Sequence, residues 1–192
     1  FLRCTEMKLR DPVNYIRSEW IRPEDLSLYE GMGYDLFKVT ERDLPTPVMV
    51  NRVRAYAARR YDGNLLDLVQ PYALREASGN GRYYRKGIGW LLRFLFRPGL
   101  VNPARMLLLK RLADLRYMTR PVTGEPPVYV DNRALDGFME RFREKGCRDV
   151  DCEACRWCHD YAAKAVRVDP EESRRSLAAY DALFRSLDGG AM

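Results

Sequence analysis

Histidine occurs once in this chain of 192 residues. With His159 as the one imidazole, no Ser/His or Cys/His couple can be chosen, and the H-E-x-x-H pair of a metalloprotease does not occur. Long apolar runs are also missing. Gly89 to Phe96 is very apolar, but neither it nor the helical stretch that starts at Asn102-Pro103 is long enough to span a bilayer. The opening Phe1 to Arg10 has no basic start, apolar run or small-residue cleavage site of a signal peptide. It begins on Phe rather than Met, which reads as a truncation or processing point. No repeat or low-complexity tract is visible. No C-x3-C-x2-C triad occurs either, which disfavours radical-SAM chemistry.

What is present suits a folded, soluble-type chain. Apolar residues make up 46%, enough to bury a core in one large domain or two small ones. Lys and Arg number 33 against 27 Asp and Glu, giving a formal charge of +6 with both signs interspersed. That surplus leaves a nucleic-acid partner open without arguing for it.

The first seventy residues read as alternating helices and short strands. Pro23-Glu24-Asp25 starts a helix over about 24–30, which Gly31 and Gly33 stop. Tyr34 to Thr40 is strand-like, and the charged trio Glu41-Arg42-Asp43 follows. Thr46 caps a helix with Pro47 in first position and Met49, Val50, Val53 and Ala57 on one face, ending near Asp62-Gly63. Asn64 to Val69 reads as another buried strand. This alternation indicates a parallel α/β sheet or barrel. Residues 1–72 hold two or three strands, so the rest of a barrel must lie elsewhere.

From about Ala73 the texture becomes helical, with a loop at Ser78 to Gly81, no convincing strand pair, and Leu108, Leu112 and Leu115 on one stripe. Asp131 or Asn132 caps a helix with Leu135, Phe138, Met139 and Phe142 on its apolar face. Asp160 to Val168 reads as helical. Asp169-Pro170-Glu171-Glu172 begins a last helix carrying Leu177, Tyr180, Phe184 and Leu187, and Gly189-Gly190 ends it.

Four of the five cysteines fall between Cys147 and Cys158, on a connection between helices. Thiols clustered beside a large apolar core favour a reduced, cytoplasmic compartment and a metal over disulfides. In Cys147-x4-Cys152-x2-Cys155-x2-Cys158 the two-residue gaps let consecutive thiols turn toward one centre. Bacterial ferredoxins use such gaps, whereas structural zinc usually takes two Cys pairs separated by a longer loop, so an iron–sulfur cluster, [4Fe–4S] in type, is preferred with zinc as the alternative. Trp157 is placed to shield the centre. His159 is a stand-in ligand or a surface and capping residue, and Cys4 a core residue or a ligand folded back from the barrel.

Trp20-Ile21-Arg22-Pro23-Glu24-Asp25-Leu26, Tyr34 to Val39, Arg42, Pro45-Thr46 and Tyr61-Asp62-Gly63-Asn64 resemble the collagenase-like peptidase family, often called U-thirty-two. Val128 to Asn132, Leu135 to Phe138 and the cysteine segment look like the tail of some of its members. The resemblance implies the last part of a TIM-like (β/α) barrel over 1–72, followed by a helical, cysteine-bearing extension over 73–192. Some members are iron–sulfur proteins of oxygen-independent hydroxylation, acting on RNA or quinone precursors, and others are described as peptidases. Their cluster draws ligands partly from the barrel, so grouping four cysteines near the end is a departure.

Active sites of such barrels lie at the C-terminal ends of strands. That position makes Lys38, Glu41 and Arg42 the expected catalytic residues, with Thr40 beside them and Arg42 suited to an anionic group. An electron donor and the remainder of the barrel are the implied partners. Without catalysis, the chain is a zinc-stapled scaffold in which Arg82, Arg85, Lys86, Arg93 and Arg97, interleaved with Tyr83, Tyr84 and Trp90, contact RNA. The same segment suits a lipid-like substrate or a membrane-peripheral position.

Overall fold

The computed structural model describes residues 2–18, 20–39, 46–69, 128–148 and 150–188. Helix α1 (Leu2–Arg10) turns at Pro12 into the single turn α2 (Val13–Ile16). A 3-10 turn, Pro23–Asp25, leads into α3 (Leu26–Gly31), where Gly33 at φ 93° lets Tyr34 N–H return to the Tyr29 carbonyl at 3.1 Å and close the helix end. The expected helix is therefore present and split in two. Helix α4 (Thr46–Ala58) begins where Thr46-Pro47 places it and stops four residues before Asp62.

The two expected strands of this region differ. Tyr34 to Val39 carries no regular element and joins no ladder, and Leu36 is 89% exposed. An extended chain becomes a strand only when a neighbour takes its N–H and C=O groups, and the described residues offer none. Asn64 to Val69 forms one isolated bridge, Asn64 to Asp131, and then turns into α5 (Leu66–Val69). Leu65, Leu66 and Leu68 are all buried, and a short, continuously apolar run of this kind is compatible with helix or strand.

The strand pair that the sequence does not announce lies in the second half. β1 (Val128–Val130) pairs antiparallel with β2 (Val166–Val168), with Val128 opposite Val168 and Val130 opposite Val166. Residues 166–168, expected as the end of a helix, instead leave helix α8 (Trp157–Ala165) for the sheet because β-branched valines on both sides find a partner. The helix expected after Asn132 is also broken. A 3-10 turn, Arg133–Leu135, is followed by Gly137 at φ 82°, and only then by α6 (Glu140–Glu144). Asp131 does cap its turn, accepting from Arg133 N–H at 3.0 Å. Helix α7 (Cys152–Cys155) precedes α8, and α9 (Pro170–Asp188) closes the described chain.

One core joins these pieces. Tyr15 and Ile16 of α2, Leu65 and Leu66, Val128 and Val130, Leu135, Ala162 and Ala165 of α8, and Tyr180 of α9 are buried in a single cluster. Residues before and after position 72 thus share it. The described residues contain helices and this two-stranded sheet, and a TIM-like barrel is an expectation that they do not test.

Polar side chains sew the middle of the core together. Asn64 imitates a strand: its amide donates to the Val128 carbonyl at 3.1 Å and its oxygen accepts Val130 N–H at 2.9 Å. Arg22, only 2% exposed, donates to the Asn132 carbonyl (2.7 Å), Asp25 (3.0 Å) and Asp136 (2.9 Å). Glu24 accepts from Tyr61 N–H and from the Asn132 amide. Arg22, Glu24, Tyr61, Asn64 and Asn132 are all among the residues that carry the family resemblance, and they meet in one knot.

Candidate metal centre

The knot aims the cysteine loop. Asp136 holds Arg22 on one side, while its carbonyl accepts the Tyr161 hydroxyl of α8 at 3.3 Å. Phe138, two residues on, contacts the Trp20, Phe142 and Tyr161 rings at centroid distances of 6.1, 5.3 and 5.2 Å, and its carbonyl accepts Trp157 Nε1–H at 3.1 Å. Trp157, expected as a shield, opens α8 and packs at a tilt of 50° against Tyr161, with ring centres 5.0 Å apart. This apolar wall anchors one flank of the loop.

The loop itself is built from caps. Cys147 follows α6 in exposed chain, and Val150 N–H turns back to its carbonyl. Asp151 caps α7 by accepting Glu153 N–H at 3.0 Å. Arg156 then adopts a left-handed conformation (φ 54°, ψ 1°), which ends α7 and starts α8 on the next residue. A right-handed residue followed by a left-handed one turns backbone N–H groups toward one side, the concave arrangement that receives anions.

All four thiols are free. Cys147 and Cys152 are exposed, and Cys155 and Cys158 half-buried. The Trp157 N–H, helped by the guanidinium of Arg141 that also donates to its sulfur, holds the Cys155 thiol below the usual range. Burial pushes the Cys158 thiol up. The charge of Arg17 opposes that shift, and Cys147 and Cys152 reinforce it. Among the described residues, no three His, Cys, Asp or Glu side chains are gathered closely enough to hold a metal ion as they stand.

Four cysteine thiols are the donor type that an iron–sulfur cluster takes, although they are not gathered around one point as they stand. Four soft thiols lie on one capped loop, and the Arg141 guanidinium donates to the Cys155 sulfur. Hydrogen bonds to sulfur and local positive charge are the features by which proteins hold and tune iron–sulfur centres. Cys147, Cys152, Cys155 and Cys158 are the residues that would hold it.

The other expected site residues are distributed differently. Lys38 stands on the exposed segment 34–39, while Thr40, Glu41 and Arg42 lie outside the described residues, as does the basic and aromatic stretch from Arg82 to Arg97. Cys4 is exposed on α1 beside Lys8, not a core residue. His159 Nε2 approaches Arg17 Nη2 at 3.5 Å and Glu153 Oε1 at 3.7 Å. Arg17 and Arg141 are the site residues the sequence did not reveal; nothing in their spacing from the cysteines marks them. Among the described residues, no helix is long and apolar enough to cross a membrane.

No family model and no solved structure matches the chain. Over 166 residues it is 27% identical to a protein of Methanocaldococcus jannaschii named as an uncharacterized protease, a match covering 86% of this chain and 34% of that protein. The chain thus spans about a third of the length of the curated relative it matches.

Proposed function

We propose that the chain is the cysteine-bearing portion of a collagenase-like peptidase (U-thirty-two) family protein and holds an iron–sulfur cluster on Cys147, Cys152, Cys155 and Cys158 for a redox modification. The observation that carries this reading is the Cys147-x4-Cys152-x2-Cys155-x2-Cys158 spacing on one loop capped by Asp151, with the Arg141 guanidinium on the Cys155 sulfur. The similarity to a protein named as a protease supports the family part of the reading.

When bound, the cluster supplies one-electron transfer. The chain's own residues then have separable roles. Trp157 and Tyr161 keep water from one flank, Asp151 and Arg156 fix the turn, and the Arg22 knot holds the loop against the core. Lys38, Glu41 and Arg42 are proposed to bind substrate at the mouth of a TIM-like barrel completed by further chain or a partner. The substrate class is RNA, a quinone precursor or another lipid-like molecule, the electron donor a separate protein, and the compartment cytoplasmic.

Anaerobic purification followed by an absorption spectrum with iron, sulfide and zinc analysis tests the reading. The expected protein is brown, with iron and sulfide in equal amounts, both lost in Cys155→Ala. A colourless protein with zinc alone rejects the redox enzyme in favour of the zinc-stapled scaffold. The relative's name favours a second reading, a peptidase. Hydrolysis of a peptide substrate by the same colourless protein would select it.

A further inference from the structure

Exposed apolar side chains gather in one short stretch of this chain. Tyr34, Leu36, Phe37 and Val39 all face solvent, and they fall on both parities of the segment, so neither of its faces is polar throughout. That is the composition of a strand without a neighbour. Apart from Tyr34 N–H, which closes α3, no backbone hydrogen bond reaches residues 34–39 among the described residues. Strand β1 is not open to it, because β2 borders one edge and the Asn64 side chain the other. The two charges of the segment, Asp35 and Lys38, are exposed, and among the described residues neither enters an ion pair.

The order of these residues is self-complementary. When the segment is laid antiparallel on a copy of itself with Leu36 opposite Phe37, Tyr34 falls opposite Val39 and Asp35 opposite Lys38. Directly opposite residues point to the same face, so each face then holds two apolar pairs and one ion pair. Other registers lose this match. A shift of one residue sets Asp35 opposite Phe37 or Val39 and Lys38 opposite Tyr34 or Leu36, and a parallel pairing in register sets like charges on each other. A membrane or a nucleic acid would meet one charge of each sign and gain from only one of them.

We propose that residues 34–39 form a two-fold antiparallel strand pair with the same residues of a second copy of this chain. The occupant is a second copy because the register that matches the apolar residues is also the one that matches both charges. A two-fold contact is closed, so the product is a dimer and not a fibre. So short a pairing makes a small interface, and the dimer is weak, with a population that follows concentration. The contact does not depend on what the cysteine loop holds and so stands apart from the cluster reading.

The test uses the full chain under thiol reductant, as wild type, Asp35→Lys, Lys38→Asp, an equimolar mixture of those two variants, and the double variant Asp35→Lys/Lys38→Asp. Far-UV circular dichroism shows that each is folded, and sedimentation velocity over a concentration series reads the mass. Wild type is expected to pass from monomer to dimer as concentration rises. Each single variant sets like charges opposite each other twice across the contact and should raise the dimer dissociation constant by about tenfold. In the mixture the two variants face each other with opposite charges, and the double variant restores both pairs in reverse, so both should return near the wild-type constant. A wild type that stays monomeric overturns the proposal and leaves the segment to a different polypeptide. A dimer that the single variants do not weaken, or that neither the mixture nor the double variant recovers, overturns the register and the proposal with it. Iron and zinc analysis of the same samples tests the cluster reading separately.

Discussion

At the scale of residues, the fold depends on a few polar side chains placed where the core cannot tolerate an unpaired group. Arg22 is the clearest. Removing it leaves Asp25, Asp136 and the Asn132 carbonyl without their shared donor, and Arg22→Ala is expected to cost about 3–5 kcal/mol, read as the shift in a urea unfolding midpoint. Arg22→Lys should recover little, because three acceptors in three directions need the guanidinium fork. Asp67 gives a pH signature. Burial pushes its carboxyl up to about 6 from 3.8, although the Tyr61 hydroxyl, which donates to it at 3.2 Å, pulls the other way.

An acid with a raised folded pKa binds its proton more tightly when folded. Its contribution is thus neutral below 3.8, falls as pH rises from there to about 6, and is constant above. Asp67→Asn should remove that decline, making the variant more stable than wild type at pH 7 by on the order of 1 kcal/mol or more, and by nothing near the low end of the window. Denaturant titrations at both pH values measure it. At this scale the place of the cysteines on a connection between helices was legible, and their holding a metal is the proposal. The sequence was silent on Arg17 and Arg141, because a contact between residue 17 and residue 159 has no local signature.

At the scale of elements, helix starts were legible and strands were not. Thr46-Pro47 and Asp169-Pro170 begin α4 and α9 where their capping chemistry says, and Asp169 accepts Glu171 N–H at 2.8 Å. A cap is decided within four residues, so the sequence contains it. A three-residue strand is decided by its partner. Val166 to Val168 leaves the helix because Val128 to Val130 waits across the sheet, whereas Tyr34 to Val39, with the stronger strand composition, has no described partner and stays single. Gly137 broke the helix expected after Asn132, since its φ of 82° turns the chain under the Tyr161 hydroxyl. The cap that matters most for the site is Asp151. Asp151→Ala is expected to cost ~1 kcal/mol and to speed metal release to a chelator several-fold, because α7 would lose the bond that fixes the Cys152 end of the loop.

At the scale of the molecule, α9 closes the described core over α1. Tyr180 is fully buried and stacks on Phe184, the Arg3 guanidinium lies 3.8 Å from the Phe184 ring centre, and Arg10 pairs with both Glu6 and Asp181. Tyr180→Ala should therefore cost about 3–5 kcal/mol, seen as a lowered urea midpoint. The division of the chain at residue 72 rested on the helical texture of residues that mostly lie outside the described structure, and the barrel on strands that need partners the described residues do not supply. What the sequence did carry was the set of resembling residues, and the structure gives them a shared physical role. Arg22, Glu24, Tyr61, Asn64 and Asn132 join three distant segments and hold the cysteine loop against the core.

Native mass spectrometry of the anaerobically purified chain tests the central claim most directly, because it counts what four thiols hold. The account predicts the polypeptide carrying the added mass of one [4Fe–4S] unit, with that mass absent from Cys155→Ala. A bare polypeptide, or one carrying a single zinc, would contradict it.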